Sequence, residues 1–415
     1  MRAAVGDQSG GKRAARSLAA ALLLALLFIS AYREILSRGA PSLGPDQEEY
    51  LASGVAASET HVFFWKAPLY SLWLAAFYRI AGRDAAWYPS LEKAVSVILL
   101  ALMTGALSWR LIDARTGLFA VFWVLQCKYL LVEPNNSHTL AAILTAASAI
   151  CLTLKQPYGL PSALFALYLS TLVRAEMRLV LVVMAGVLIC RVALECAGKK
   201  RRPSLQASAV ACWGACLLLA ASLSLLFFLR QGGENRYPLI DEAFAQNFAA
   251  CYVERNNLQA VYPNPWKSCH EIQRAVMPGT TTMLGAFRHY PGVVASHILY
   301  NMRVSLRAIP ASVLGIHHQA LWLLAAALYL LSYMLKWTAA SPGNGWSRLS
   351  PGQRSHLTTF ALSMSMLALN TWLFRAAARY YIQLIPLLLP LLFLAIHQAM
   401  GKWLRSYDQR HPSGL

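Results

Sequence analysis

The amino-acid sequence predicts an all-α polytopic membrane protein with about ten transmembrane helices. Three observations lead there. Of 415 residues, 57% are hydrophobic and only 13% are Asp, Glu, Lys or Arg, whereas a soluble domain averages about 25% charged residues. The apolar residues gather in runs that approach the ~20 needed for a helix to cross ~30 Å of hydrocarbon. The net charge of +19 is spread over the short segments between those runs. That distribution suits contact with anionic head groups and argues against a nucleic-acid binder, which would gather its charge on a soluble module.

Taken in order, residues 1–16 are a cytoplasmic tail carrying Lys12, Arg13 and Arg16, and the apolar run Ser17 to Ile35 follows it. No small-x-small cleavage site closes that run, so it reads as a retained first span rather than a signal peptide. Residues of about 37–90 form a first outer loop. Within it, Pro68 to Ile80 is aromatic, amphipathic and too short to span, with Lys66, Arg79 and Arg83 as a basic rim. It is predicted to lie in the membrane interface. Apolar runs follow near 92–112, 117–132, 138–154, 159–174, 178–197 and 208–229, several at the short limit for a span. A second, larger outer loop covers about 230–310, and spans resume near 314–335, 356–374 and 380–400 before a cytoplasmic tail at 401–415. The transmembrane domain is therefore 17–400, with no internal repeat and no separate soluble domain.

Orientation follows from the basic residues of the short loops. With the N-terminus inside, Arg110, Arg115, Lys155, the cluster Lys199-Lys200-Arg201-Arg202, Lys336, Lys402 and Arg405 all fall on the cytoplasmic side. Both long loops then face outward, which makes this an inner (cell) membrane protein with its chemistry on the periplasmic or extracellular side. Six of the eight cysteines lie in apolar stretches and read as small hydrophobes. Cys212 and Cys216 lack His or acidic neighbours, so no metal is assigned to them. Cys251 and Cys269 share the second outer loop, where a disulfide between them is open.

The densest acidic motif is Pro45-Asp46-Gln47-Glu48-Glu49-Tyr50, just after the first span. Read as a helix start, Asp46 caps it, and Glu49 and Tyr50 lie one turn on. Further on come Thr171-Leu172-Val173-Arg174-Ala175-Glu176 and Arg379-Tyr380-Tyr381-Ile382-Gln383-Leu384-Ile385-Pro386, each at the end of an apolar run. From the residues alone, the carboxylates of the first motif are equally readable as a solvated cap, and Arg174 with Glu176 as a structural ion pair.

Together these motifs, with Lys66 to Gly82 between them, resemble the GT-C superfamily of polyprenyl-phosphate-sugar-dependent glycosyltransferases, in its mannosyl- and aminoarabinosyltransferase-like branch. The matches sample most of the membrane region in the expected order. Gln47 stands where an acid commonly follows the Asp, Ala175 stands where proline is usual, and no sizeable C-terminal soluble domain is present. The resemblance implies a GT-C-like, inverting sugar transferase. Its donor would be a polyprenyl-phosphate sugar and its acceptor a lipid, a glycan or a protein, with membrane lipid as its medium.

Such a reaction needs a carboxylate to take the acceptor's proton and cations to stabilise the phosphate leaving group. Asp46 is the expected general base, with Glu49 or Glu48 orienting the acceptor or helping to position a divalent cation; no metal ligands are assigned. Expected substrate-binding residues are Tyr50, Lys66, Arg79, Arg83, Glu133, Arg288, Arg375, Arg379 and Tyr380. Two other classes stay open. An O-antigen ligase or polymerase would rely on Arg288 and His289 in the second loop. A lipid or glycan transporter would place ionisable residues or broken helices at mid-membrane.

Overall fold

Among the described residues, the computed structural model is all-α apart from one two-residue strand pair. Residues 45–64, 67–81, 87–127, 130–131, 137–154, 158–198, 207–229, 231–232, 240–315, 345–375 and 378–410 are described, together with Ile29 and Arg33. Most of the predicted first span and most of the predicted span 314–335 lie outside the described residues.

Helix α1 (Pro45–Glu59) begins one residue earlier than expected, so Asp46 sits inside its first turn rather than capping it. Pro45 supplies the reason: proline's fixed φ suits the first helical position, where its missing N–H costs nothing. Helix α2 (Pro68–Ala81) starts the same way and matches the predicted interfacial helix. It is 14 residues long, too short to cross a bilayer. It buries Tyr70, Ser71, Leu74 and Phe77 on one side while Leu72 and Ile80 stay exposed. Gly54 of α1 meets Leu74 so closely that an added Cβ would lie 2.6 Å from the leucine Cβ. Ser53 Oγ and Ser71 Oγ are 3.0 Å apart in the same seam.

The main core is built on α3 (Trp87–Leu111) and α4 (Ala114–Leu125), an antiparallel pair whose turn is capped by Asp113 accepting from the Thr116 N–H. Gly105 and Gly117 face each other at the crossing. A Cβ on Gly105 would lie 2.3 Å from Val121 Cγ2, and one on Gly117 would lie 2.8 Å from the Gly105 carbonyl oxygen. Small residues of this kind let apolar helices touch backbone to backbone where no hydrophobic drive separates helix from lipid. Helices α5 (Ser137–Leu152) and α6 (Gly159–Thr171) form the next pair, and α5 also packs on α3. They are followed by α7 (Met177–Gly198) and α8 (Ala207–Leu229).

The segment predicted to form the second outer loop, about 230–310, is more structured than a loop. It holds α9 (Ile240–Arg255), α10 (Cys269–Val276), α11 (Met283–His289) and α12 (Pro291–Leu314). These helices have a small core of their own, in which Phe244, Phe248, Met277, Ala286 and Val294 are buried. Cys251 and Cys269 are both free there, so the open disulfide is not formed. Each thiol faces a different partner: Cys251 Sγ is 3.5 Å from Asn301 Oδ1 of α12, whereas Cys269 Sγ is 4.0 Å from Glu242 Oε1.

The chain then forms the short α13 (Gly345–Arg348) and α14 (Pro351–Leu373), the latter started by a capping box between Ser350 and Gln353. A 3-10 helix (Ala378–Leu384) leads into α15 (Ile385–Arg410). Strand β1 (Phe63–Phe64) pairs in parallel with β2 (Gln231–Gly232), which ties the first outer loop to the start of the second. Among the described residues, Trp87–Leu111 and Tyr380–Gln398 are long and apolar enough to cross a membrane. Helices α4, α5 and α6, at 12, 16 and 13 residues, are apolar but shorter than a full span requires.

Candidate functional site

The turn between α6 and α7 gathers most of the chemistry. Arg174 donates from Nε to Glu176 Oε1 at 2.7 Å and from Nη1 to Ser137 Oγ, at the start of α5, at 3.3 Å. Gln383, from the 3-10 helix, is buried; its amide nitrogen is 2.8 Å from His138 Nδ1 and 3.4 Å from Glu176 Oε1. In this amide orientation Nδ1 of a neutral His138 accepts from Gln383, whereas a protonated His138 would face Glu176 Oε1, 3.9 Å from Nδ1. The opposite amide orientation would turn the Gln383 oxygen against the Glu176 carboxylate. Tyr380 closes the group. Its ring meets His138 edge to face at 4.9 Å and lies under the Arg174 guanidinium at 5.9 Å.

The first motif reaches the same place. The backbone N–H of Leu69, unsatisfied by α2 itself because it lies in that helix's first turn, donates to the Leu172 carbonyl at 3.2 Å. Tyr50 lies within electrostatic range of Arg174, as does Tyr380. Tyr50 also stacks edge to face on Tyr70 at 5.3 Å. The Tyr70 hydroxyl is fully buried without a hydrogen-bond partner. Burial, reinforced by the neighbouring Glu92, Tyr50 and Tyr88, pushes its pKa well above the ordinary phenol value, so it stays neutral. The Glu92 carboxylate is buried, accepting from Trp73 Nε1 at 3.1 Å and Ser96 Oγ at 2.8 Å. Tyr88 donates to the Leu51 carbonyl at 3.0 Å and holds α1 against α3.

The structure treats the expected site residues differently. Tyr50 and Tyr380 converge on Arg174. Asp46 lies one turn before Tyr50 on α1, and Arg379 immediately precedes Tyr380; both are described by their backbone alone. Glu48 and Glu49 are exposed on α1. Lys66, Arg83 and Glu133 lie outside the described residues.

The remaining arginines are placed elsewhere. Arg79 donates to Ser58 Oγ at 3.1 Å and to the Ser58 carbonyl at 3.0 Å, so it caps the end of α1. Arg375 pairs with Glu254 of α9 at 3.5 Å and lies over the Trp266 ring at 5.5 Å, which fastens the second outer segment to the end of α14. Arg288 is exposed on α11, beside His289.

His138 and Gln383 were not singled out by sequence reasoning, and Arg174 with Glu176 were read as a structural pair. The pair exists, but it sits at the centre of the polar cluster rather than apart from it. A signal for His138 was present: an ionisable residue at the head of an apolar run marks a candidate site. No comparable signal marks Gln383.

A second polar seam joins α12 to the end of α14. His297 Nε2 lies 3.1 Å from the Leu373 carbonyl, and Asn301 Nδ2 donates to the Trp372 carbonyl at 3.0 Å. Phe248, Cys251, Tyr252, Arg255, His297 and Tyr300 line a small pocket beside it.

No protein-family model, curated protein or solved structure matches this chain.

Proposed function

We propose that the protein is a multi-pass membrane glycosyltransferase of the GT-C type. With about ten spans, it moves a sugar from a polyprenyl-phosphate donor to a lipid, glycan or protein acceptor on the outer face of the cell membrane. The observation that carries this reading is convergence. Residues from three distant motifs, Tyr50, the Arg174–Glu176 pair and Tyr380 with Gln383, gather around one guanidinium. A transporter reading requires ionisable groups along a path, whereas these lie together at element ends.

In this reading Asp46 accepts the proton of the acceptor hydroxyl. The acceptor oxygen then bonds to the anomeric carbon as the bond from that carbon to the phosphate oxygen breaks, with inversion. The negative charge left on the polyprenyl phosphate is met by Arg174, held in place by Glu176 and Ser137, and by Arg379. Arg is suited to this because its planar fork matches phosphate oxygens. Tyr380 orients the guanidinium from below. A divalent cation near Glu48 or Glu49 would add to the same charge stabilisation, but the charge balance above needs none. Exposed leucines of α8, among them Leu217 and Leu218 at 65% and 70% exposure, are read as facing lipid.

The test is sugar transfer by membranes containing Asp46→Asn, supplied with donor. Loss of a general base predicts a rate about 100- to 10,000-fold lower. Undiminished transfer rejects Asp46 as the base. Loss on changing Arg288 or His289 but not Asp46 indicates ligase-like chemistry, and flux without covalent transfer in proteoliposomes indicates a transporter.

A further inference from the structure

Away from the Arg174 cluster, where the first turns of α9 and α10 come together, three different metal-binding side chains meet. Glu242 comes from the first turn of α9, and Cys269 with His270 from the first turn of α10. His270 Nε2 is 2.8 Å from Glu242 Oε2, and Cys269 Sγ is 4.0 Å from Glu242 Oε1. One ligand atom from each residue lies within 4.8 Å of the others, and this is the only group of three His, Cys or carboxylate donors that close among the described residues. We infer that Glu242, Cys269 and His270 form a Zn²⁺-type site that clips α9 to α10 and leaves one coordination position open to solvent.

The donor set points to the metal. A thiolate, an imidazole and a carboxylate are the ligands that zinc takes, at about 2.3, 2.0 and 2.1 Å respectively. Calcium and magnesium prefer all-oxygen shells. Two anionic ligands with a neutral imidazole also balance a dication, so the filled site carries no net charge.

The surroundings fit a built site as well. Gln246 Nε2 donates to Glu242 Oε1 at 3.1 Å, which orients the carboxylate from outside the ligand set. Beneath it, Ala245, Ala249 and Ile272 pack into an apolar floor together with buried Cys269. The His270 side chain is 56% exposed and the Glu242 side chain 35% exposed, so the metal has an entry path and room for a water. Without metal, His270 Nε2 contacts the Glu242 carboxylate directly; binding exchanges that contact for two metal bonds and draws Cys269 in.

The site is tested on the full chain, purified in detergent and stripped of metal, by titration with Co²⁺ and then Zn²⁺. One equivalent of Co²⁺ is expected to give a thiolate-to-cobalt charge-transfer band that Zn²⁺ abolishes. Cys269→Ser should remove the band and Cys251→Ser should keep it. His270→Ala replaces an exposed side chain and leaves the fold readable; it should weaken Zn²⁺ binding about tenfold or more, since even a lost second-layer contact costs that much. A band that persists in Cys269→Ser, no band in the unaltered chain, or unchanged zinc affinity in His270→Ala would overturn the site and leave a simple Glu242–His270 contact.

Discussion

Arg174 and Glu176 each keep part of their side chain in contact with solvent, 20% and 15% exposed, yet they are ringed by protein. Removing one partner of such a pair costs more than the pair itself contributes, because the other charge is left uncompensated. Arg174→Met is expected to lower stability by about 3 kcal/mol, measured by thermal unfolding in detergent. The double variant Arg174→Met, Glu176→Gln should recover most of that loss, since no charge then remains. Sugar transfer separates structure from chemistry. If Arg174 meets the donor phosphate, the double variant regains stability but not activity; recovery of both would reduce the pair to scaffold.

At the scale of elements, α12 is fastened to the end of α14 by a buried histidine, His297. His297 is buried, and burial together with the nearby Arg255 charge holds its pKa below the ordinary value, against the opposing pull of the Leu373 and Phe374 carbonyls. A histidine with a folded pKa below its unfolded value of about 6.5 favours folding while neutral. Its contribution is therefore complete above about pH 6.5 and is lost as the pH falls below that value toward the folded pKa. The thermal midpoint of the full chain should drop on acidification from pH 7, and His297→Gln should flatten that dependence. An equal slope in both proteins would place the acid sensitivity elsewhere. The Cys251 thiol in the same seam is pushed up to about 12, burial being the main cause, so it stays a neutral thiol across this range.

Across the whole molecule, orientation is the property most exposed to test. The parallel pairing of Phe63 with Gln231 and of Phe64 with Gly232 joins the two segments that the basic-residue pattern assigns to the outer side. In a cysteine-free background, single cysteines at Glu48 and at Arg288 should react with an impermeant maleimide on intact cells, and one at Lys402 only after permeabilisation. Labelling of the Glu48 and Arg288 positions from opposite sides would break the topology.

The helical class was legible because composition and apolar runs act locally: a backbone in hydrocarbon must satisfy its own hydrogen bonds, and helices do so within each segment. The short helix at Pro68 was legible for a related reason, since proline at the first helical position and a run of aromatic residues are local signals. Helicity inside the second outer segment was not, because α9 to α12 carry mixed polar sequence whose helices are stabilised by a small core that forms only on contact. The site followed the same division. Asp46, Tyr50 and Tyr380 stood in recognisable motifs, whereas Arg79 and Arg375 looked like free cations until packing supplied Ser58, Glu254 and Trp266. By itself the sequence determined that this is a helical, apolar chain with polar motifs at the ends of its apolar runs. Only tertiary structure decided that His138 and Gln383 join Arg174 and Glu176, because Gln383 and His138 lie 245 positions apart and no local pattern links them.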